Sequence, residues 1–141
     1  MCLTTNWGKA RVATRDIVCY KILVTFDDGK TYFTPSQHTE VKDFPIIQPY
    51  FLEKEDVEET GFNVYEVNGG FIHTYMFKRK RKFRKENSKP KGLPCSYKYV
   101  LFKAIIPKGT RYYRGRHNVF FGARYGYASR WIKLLEKIDE I

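Results

Sequence analysis

The ten residues IVCYKILVTF, from Ile17 to Phe26, constrain the fold more than any other stretch of the chain. Branching at Cβ in Ile, Val and Thr, together with the aromatic rings, suits a pleated strand better than a helical turn. Asp27-Asp28-Gly29 follows, and then KTYFT. An Asp-Gly step between two such runs is a hairpin signal, because glycine accepts the positive φ of a tight turn. Strands are expected near 17–26 and 30–34. The next segment carries Pro35, Pro45 and Pro49 and reads as loop or sheet edge.

Further along, FNVYEV and FIHTYMF flank Asn68-Gly69-Gly70, again a turn sequence between two strand-like runs. SYKYVLFKAII resumes strand character and puts Tyr97, Tyr99, Leu101 and Lys103 on one face. Two segments look helical. PYFLEKEDVEETG has Pro49 near its start, acids along it and Gly61 where a C-terminal cap belongs. At the C-terminus Trp131, Leu134, Leu135 and Ile138 recur at helical spacing with charged residues between them. The expected fold class is therefore α+β: a single domain over 1–141, mainly antiparallel β-sheet, with a long basic hairpin tip and a C-terminal amphipathic helix. Residues 1–15 are expected as a flexible N-terminal arm and 78–94 as the basic loop.

Composition bears on partners. With 43% hydrophobic and 17% aromatic residues, a chain of 141 residues builds one core without disulfide staples. Cys2, Cys19 and Cys95 have no metal-ligand spacing, and an odd count argues against a secreted disulfide framework. No apolar run resembles a signal peptide or a membrane span. The expectation is a cytoplasmic protein, or one packaged in a virion, with no membrane partner.

The formal net charge is +11, and FKRKRKFRKENSKPKG, residues 77–92, alone carries nine Lys and Arg against one Glu. Charge this concentrated fits an anionic partner. Lys78, Arg79, Lys80, Arg81, Lys82, Arg84 and Lys85 are candidates for neutralising nucleic-acid phosphates, with Phe77 and Phe83 as stacking platforms. The plainer reading is a solvated loop.

A second candidate is RYYRGRHNVFFGARYGY. Guanidinium planes and phenol rings used together sandwich a base while donating to phosphate. Arg111, Arg114, Arg116 and Arg124 are the expected phosphate donors, and Tyr112, Tyr113 and Tyr125 the expected stacking residues. Gly115, Gly122 and Gly126 would let backbone approach a ligand. Against this, aromatic residues of a strand supply core as readily as they supply a site.

His73 shares a strand face with Phe71, Tyr75 and Phe77. Its plain role is a buried, hydrogen-bonded imidazole; a catalytic base would need an orienting carboxylate and a nucleophile. His38, His73 and His117 lack the close spacing of a metal site, so no metal is expected. Glu53, Glu55, Asp56, Glu58 and Glu59 read as a solvated face rather than a paired-carboxylate centre. No phosphate-binding glycine loop, nucleophile elbow or zinc-binding pair is present, and no cofactor is expected.

Several pieces together resemble a family of small phage proteins from gut bacteria and their hosts: Met-Cys-Leu-Thr-Thr at the start, DIVCYKIL, GFIHTY, AIIPKGTRYYRG and YAS. The chain departs from that pattern at Ala104, where the family has Cys, and in a longer basic tip. The resemblance implies a phage-related origin. A fainter similarity is to ADP-ribosyltransferases, whose nicotinamide-nucleotide cleft is lined by strands like YKIL and IPKGTRYY and by a Ser/Thr-rich strand, here TYFTPSQ. The catalytic Glu of that fold has no counterpart, since the first acid after Gly109 is Glu136.

The expected function is non-enzymatic binding of an anionic nucleotide or nucleic acid, in a phage setting as a counter-defence protein. The alternatives are a virion-associated or protein-interaction protein and a nucleotide-processing enzyme using His73. A homo-oligomer or a host defence protein completes the set of expected partners.

Overall fold

The computed structural model describes residues 3–26, 32–34, 39–48, 56–68, 70–78, 97–119 and 122–140. In chain order the strands are β1 (Leu3–Thr5), β2 (Arg11–Val12), β3 (Ile17–Phe26), β4 (Tyr32–Thr34), β5 (Thr39–Glu40), β6 (Ile46–Ile47) and β7 (Val57–Gly61). They continue with β8 (Val64–Val67), β9 (Ile72–Tyr75), β10 (Tyr97–Ile106), β11 (Arg111–Val119), β12 (Gly122–Ser129) and β13 (Ile132–Glu140). All join one antiparallel sheet in the order β6-β13-β10-β3-β9-β12-β11-β1-β8-β7, with β2 on β11 and the pair β4-β5 on β3. No helix among the described residues is long and apolar enough to cross a membrane.

The longest ladder joins β3 and β10 without interruption, from Ile17 opposite Ile106 to Phe26 opposite Tyr97. Alternation along these two strands sorts their side chains. Cys19 and Leu23 on β3, with Val100, Phe102, Ala104 and Ile106 on β10, enter one buried cluster that also holds Ile72, Ile132 and Leu134. On the opposite face Ile22 and Leu101 pack with Tyr75, flanked by Tyr20, Tyr99 and Ile138. A third cluster forms from Leu3, Val67, Phe71, Tyr113 and Ala128. Each fully buried Leu or Ile contributes about 1.5–3 kcal/mol, so the sheet is held from both faces.

The C-terminal segment corrects the helix expectation: Ile132–Glu140 is a strand, paired with β10 on one side and with β6 on the other. Its ladder with β10 skips twice, so that Leu135 and Ile138 have no opposite residue. Each extra residue in a bulge reverses the inward-outward alternation. Ile132 and Leu134 therefore pack in one cluster and Ile138 beside another. Apolar residues on a twice-bulged strand recur at intervals that imitate a helical turn.

The acidic segment is corrected in the same way where it is described. Val57–Gly61 forms β7 and turns at Phe62 and Asn63, the latter at φ 54°, to pair with β8. The turn residue is thus Asn63, not Gly61 as a helix cap. Residues 49–55 lie outside the described residues.

Two connections also differ from the local reading. Val64–Val67 and Ile72–Tyr75 are strands as expected, yet β8 pairs β7 and β1 whereas β9 pairs β12 and β3. Asn68-Gly69-Gly70 does not close a hairpin. Likewise β9 and β10 both run antiparallel to β3 and lie on either side of it. The basic segment between them joins two parallel strands and is a crossover connection, not a hairpin tip. Lys78 is exposed, while Arg79, Lys80, Arg81, Lys82, Arg84 and Lys85 lie outside the described residues.

Finally, the expected N-terminal arm is partly built into the sheet. Leu3–Thr5 inserts as β1 between β11 and β8, with Leu3 fully buried.

Candidate functional site: an arginine-lined cleft

β11 and β12 form the hairpin that carries most of the expected ligand residues. Their ladder places Tyr112 opposite Ser129, Arg114 opposite Tyr127 and Arg116 opposite Tyr125; between these, Tyr113, Gly115 and His117 face Ala128, Gly126 and Arg124. Alternation sends the two sets to opposite faces. Arg114 and Arg116 therefore share one face of β11, and Tyr113 and His117 are buried on the other.

The free edge of β11 is used twice. β1 pairs at Arg116 and His117, and β2 pairs at Arg111 and Tyr112. Between Thr5 and Arg11 the chain leaves this edge and returns. The Trp7 amide donates to Thr5 Oγ1 at 3.2 Å, while Ala13 N donates to Thr110 O at 3.0 Å, so the excursion is tied at both ends. A cleft of about 610 Å³ opens there, lined by Asn6, Trp7, Arg11, Arg114, Arg116 and Tyr125 among others. This volume lies within the range of small-ligand sites, roughly 300–1,000 Å³.

Its electrostatics are one-sided. Three arginines line the cleft, and no acidic residue does among the described residues. Arg116 lies over the Tyr125 ring at 5.1 Å from the centroid, and its Nη2 donates to the Tyr125 hydroxyl at 3.1 Å. Holding the planar guanidinium in this way lowers the entropy it loses on meeting an anion. Trp7 and Tyr125 are 59% and 47% exposed.

The structure sorts the expected ligand residues into distinct groups. Arg114, Arg116 and Tyr125 come together in the cleft. Tyr112 instead packs at the core with its ring 5.9 Å from that of Tyr127. Tyr113 is buried on the other face against Phe71, and its hydroxyl donates to Asp56 Oδ2 at 3.4 Å. Burial, then the Asp56 charge, raises the Tyr113 pKa above its usual value. Arg111 sits 3.9 Å from the same carboxylate, which Arg130 holds at 2.9 Å. These two tyrosines and Arg111 thus lie outside the described lining of the cleft. Arg124 is opposite His117 in register, and its side chain lies outside the described residues.

Trp7 and Arg11 were not anticipated. Their signal was present in the alternation of Trp7, Lys9 and Arg11 within NWGKAR, which mixes a ring and cations as the later segment does. Treating 1–15 as a free arm hid it.

His73 belongs to a separate, buried polar cluster. It is 5% exposed; Nδ1 is 2.9 Å from Phe71 O, and its ring centre lies 5.6 Å from that of His117. His117 Nε2 is 2.8 Å from Thr74 O. Burial lowers the His73 pKa to about 3, helped by His117, and burial lowers that of His117 to about 4. Both rings are neutral at physiological pH, and each anchoring nitrogen carries the proton that its carbonyl partner accepts. Lys21, lowered to about 8 by burial, donates from Nζ to His73 O at 2.9 Å. No carboxylate bonds either imidazole among the described residues, and no group of three or more metal-ligating side chains occurs there. The arrangement braces β3, β9 and β11 against one another.

No family model, curated protein or solved structure matches this chain.

Proposed function

We propose that the protein binds a phosphate-bearing nucleotide, free or within a nucleic acid, without turning it over, in the cleft between the N-terminal excursion and β11. The observation that carries this reading is the meeting of Arg11, Arg114 and Arg116 with exposed Trp7 and Tyr125 in a cleft lined by no carboxylate among the described residues. Arginine supplies paired donors for phosphate oxygens, and the rings supply surfaces on which a base stacks. Neither asset alone favours nucleotides over any other anion or apolar ligand; their coincidence does.

The excess positive charge of the chain supports the same reading by drawing anions toward the protein over longer distances. A phage counter-defence role, in which the protein sequesters a nucleotide, follows from the resemblance of AIIPKGTRYYRG and its companion segments alone.

The deciding experiment is a titration of the full chain with nucleotides and short oligonucleotides at low salt, following tryptophan fluorescence. Saturable binding that weakens by tenfold or more in Arg114→Ala/Arg116→Ala supports the reading. Equal affinity in that double variant, or no binding of any probe, removes the cleft as the site.

A further inference from the structure

The balance of groups in the cleft defines the ligand more narrowly. Single-stranded nucleic acid is held by a basic track with a succession of aromatic platforms, one for each stacked base. Here two exposed rings border the cleft, and one of them, Tyr125, has a ring face covered by the Arg116 guanidinium. Trp7 is left as the open platform. Against that single platform stand three arginines lining one volume of about 610 Å³ rather than strung along a groove.

Two other arginines near this end of the sheet whose side chains are described do not add a track. Arg111 and Arg130 are both drawn to Asp56, and Arg130 also lies over the Phe71 ring at 4.9 Å. Among the described residues, the arginines left for a ligand are clustered. One base and several phosphate charges at a single point is the composition of a nucleoside polyphosphate.

From this we infer that the cleft takes a nucleoside di- or triphosphate, or a nucleotide of equivalent charge, with the base on Trp7 and the phosphate chain among Arg11, Arg114 and Arg116. The inference rests on the cleft being a nucleotide site. It adds that the protein neutralises the phosphates directly. With no carboxylate among the described lining residues to help hold magnesium, binding requires no divalent cation, and a metal bound to the phosphates competes with the arginines.

The test is calorimetric titration of the full chain with AMP, ADP, ATP, inorganic tripolyphosphate and a thymidine oligonucleotide, in chelator and then in magnesium. Affinity should rise about tenfold with each added phosphate, as expected for one further charge-assisted contact. It should persist in chelator and fall in magnesium. Trp7→Ala should lose about tenfold for ATP and nothing for tripolyphosphate, since stacking contributes only where a base is present. Trp7 is exposed, so the variant folds, and Trp7→Phe should restore most of the loss.

Equal affinity for AMP and ATP, or an oligonucleotide that binds more tightly than ATP, overturns the polyphosphate inference while leaving a nucleotide site in place. Tripolyphosphate binding as tightly as ATP overturns the part assigned to the base. No binding of any probe overturns the nucleotide reading itself.

Discussion

His117 on β11 lies over Gly126 on β12, so that its imidazole crosses one strand to reach the Thr74 carbonyl on the next. A methyl group at position 126 would collide with His117 Nε2 and with Thr74 O at once, one of them backbone and the other an anchored ring. Neither can yield cheaply. Gly126→Ala should therefore destabilise the protein by about 3 kcal/mol, near the upper end for overpacking a core. The midpoint of urea unfolding checks this, and a change below ~0.5 kcal/mol would mean that the sheet relaxes around the methyl.

Acid should weaken the fold through the same histidines. His73 and His117 fall from an ordinary 6.5 to about 3 and about 4 in the folded protein. Between those values and 6.5 the unfolded chain holds protons that the folded one rejects. Their contribution is complete above pH 6.5 and is lost as pH falls toward 3. Each group loses about 1.4 kcal/mol for every pH step over which only the unfolded chain is protonated. Urea unfolding at neutral pH and near pH 4.5 should show the loss, and His73→Gln should make it shallower. An unchanged slope in that variant counts against a buried neutral His73.

Lys21 produces the opposite flank. Burial lowers its pKa from 10.5 to about 8, so above pH 8 the unfolded chain retains a proton that the folded chain has released. Stability should rise from about pH 8 to about pH 9. Beyond that Cys19 opposes it, because burial raises this thiol from 9.0 to about 12 and favours the folded state only while it stays protonated. Lys21→Met should abolish the rise between pH 8 and 9 and make the acid limb slightly shallower, because the Lys21 charge helps to lower both histidines. A rise that survives the substitution would assign it to another group.

Neighbouring residues of β11 should separate binding from stability. Arg114→Ala is expected to weaken nucleotide binding about tenfold with no shift in thermal midpoint, since the side chain is exposed and enters no ion pair with another described residue. Tyr113→Phe should leave affinity unchanged and lower stability by about 1 kcal/mol through its lost bond to Asp56. Parallel titration and thermal denaturation of the two variants make the comparison. Loss of binding in Tyr113→Phe would return that residue to the site.

Part of the candidate site was legible because strand alternation is a local rule. Arg114, Arg116 and Tyr125 stood out by residue type, but type alone grouped them with Tyr112, Tyr113 and Arg111. What sets Tyr113 and Arg111 apart is the covered face of β11 and the place of Asp56, 55 positions before Arg111 in the chain, while Tyr112 is set apart by packing against Tyr127. Trp7 and Arg11 join only because β1 and β2 grip the same edge of β11 at two points. Gly126, expected to admit a ligand, lies under the His117 ring, while Gly115 lies against the Thr4 backbone and also lines the cleft.

The amino-acid sequence by itself determined the strands Ile17–Phe26 and Tyr97–Ile106, because β-branched and aromatic residues in alternation suit a pleated strand. Tertiary structure alone decided that Ile132–Glu140 is a strand. Its apolar spacing satisfies a helix and a twice-bulged strand equally well, and pairing between β6 and β10 chooses the strand by giving its backbone groups partners on both sides. The same holds for the cleft, which exists only where two short N-terminal strands dock on β11 and the residues between them stand away.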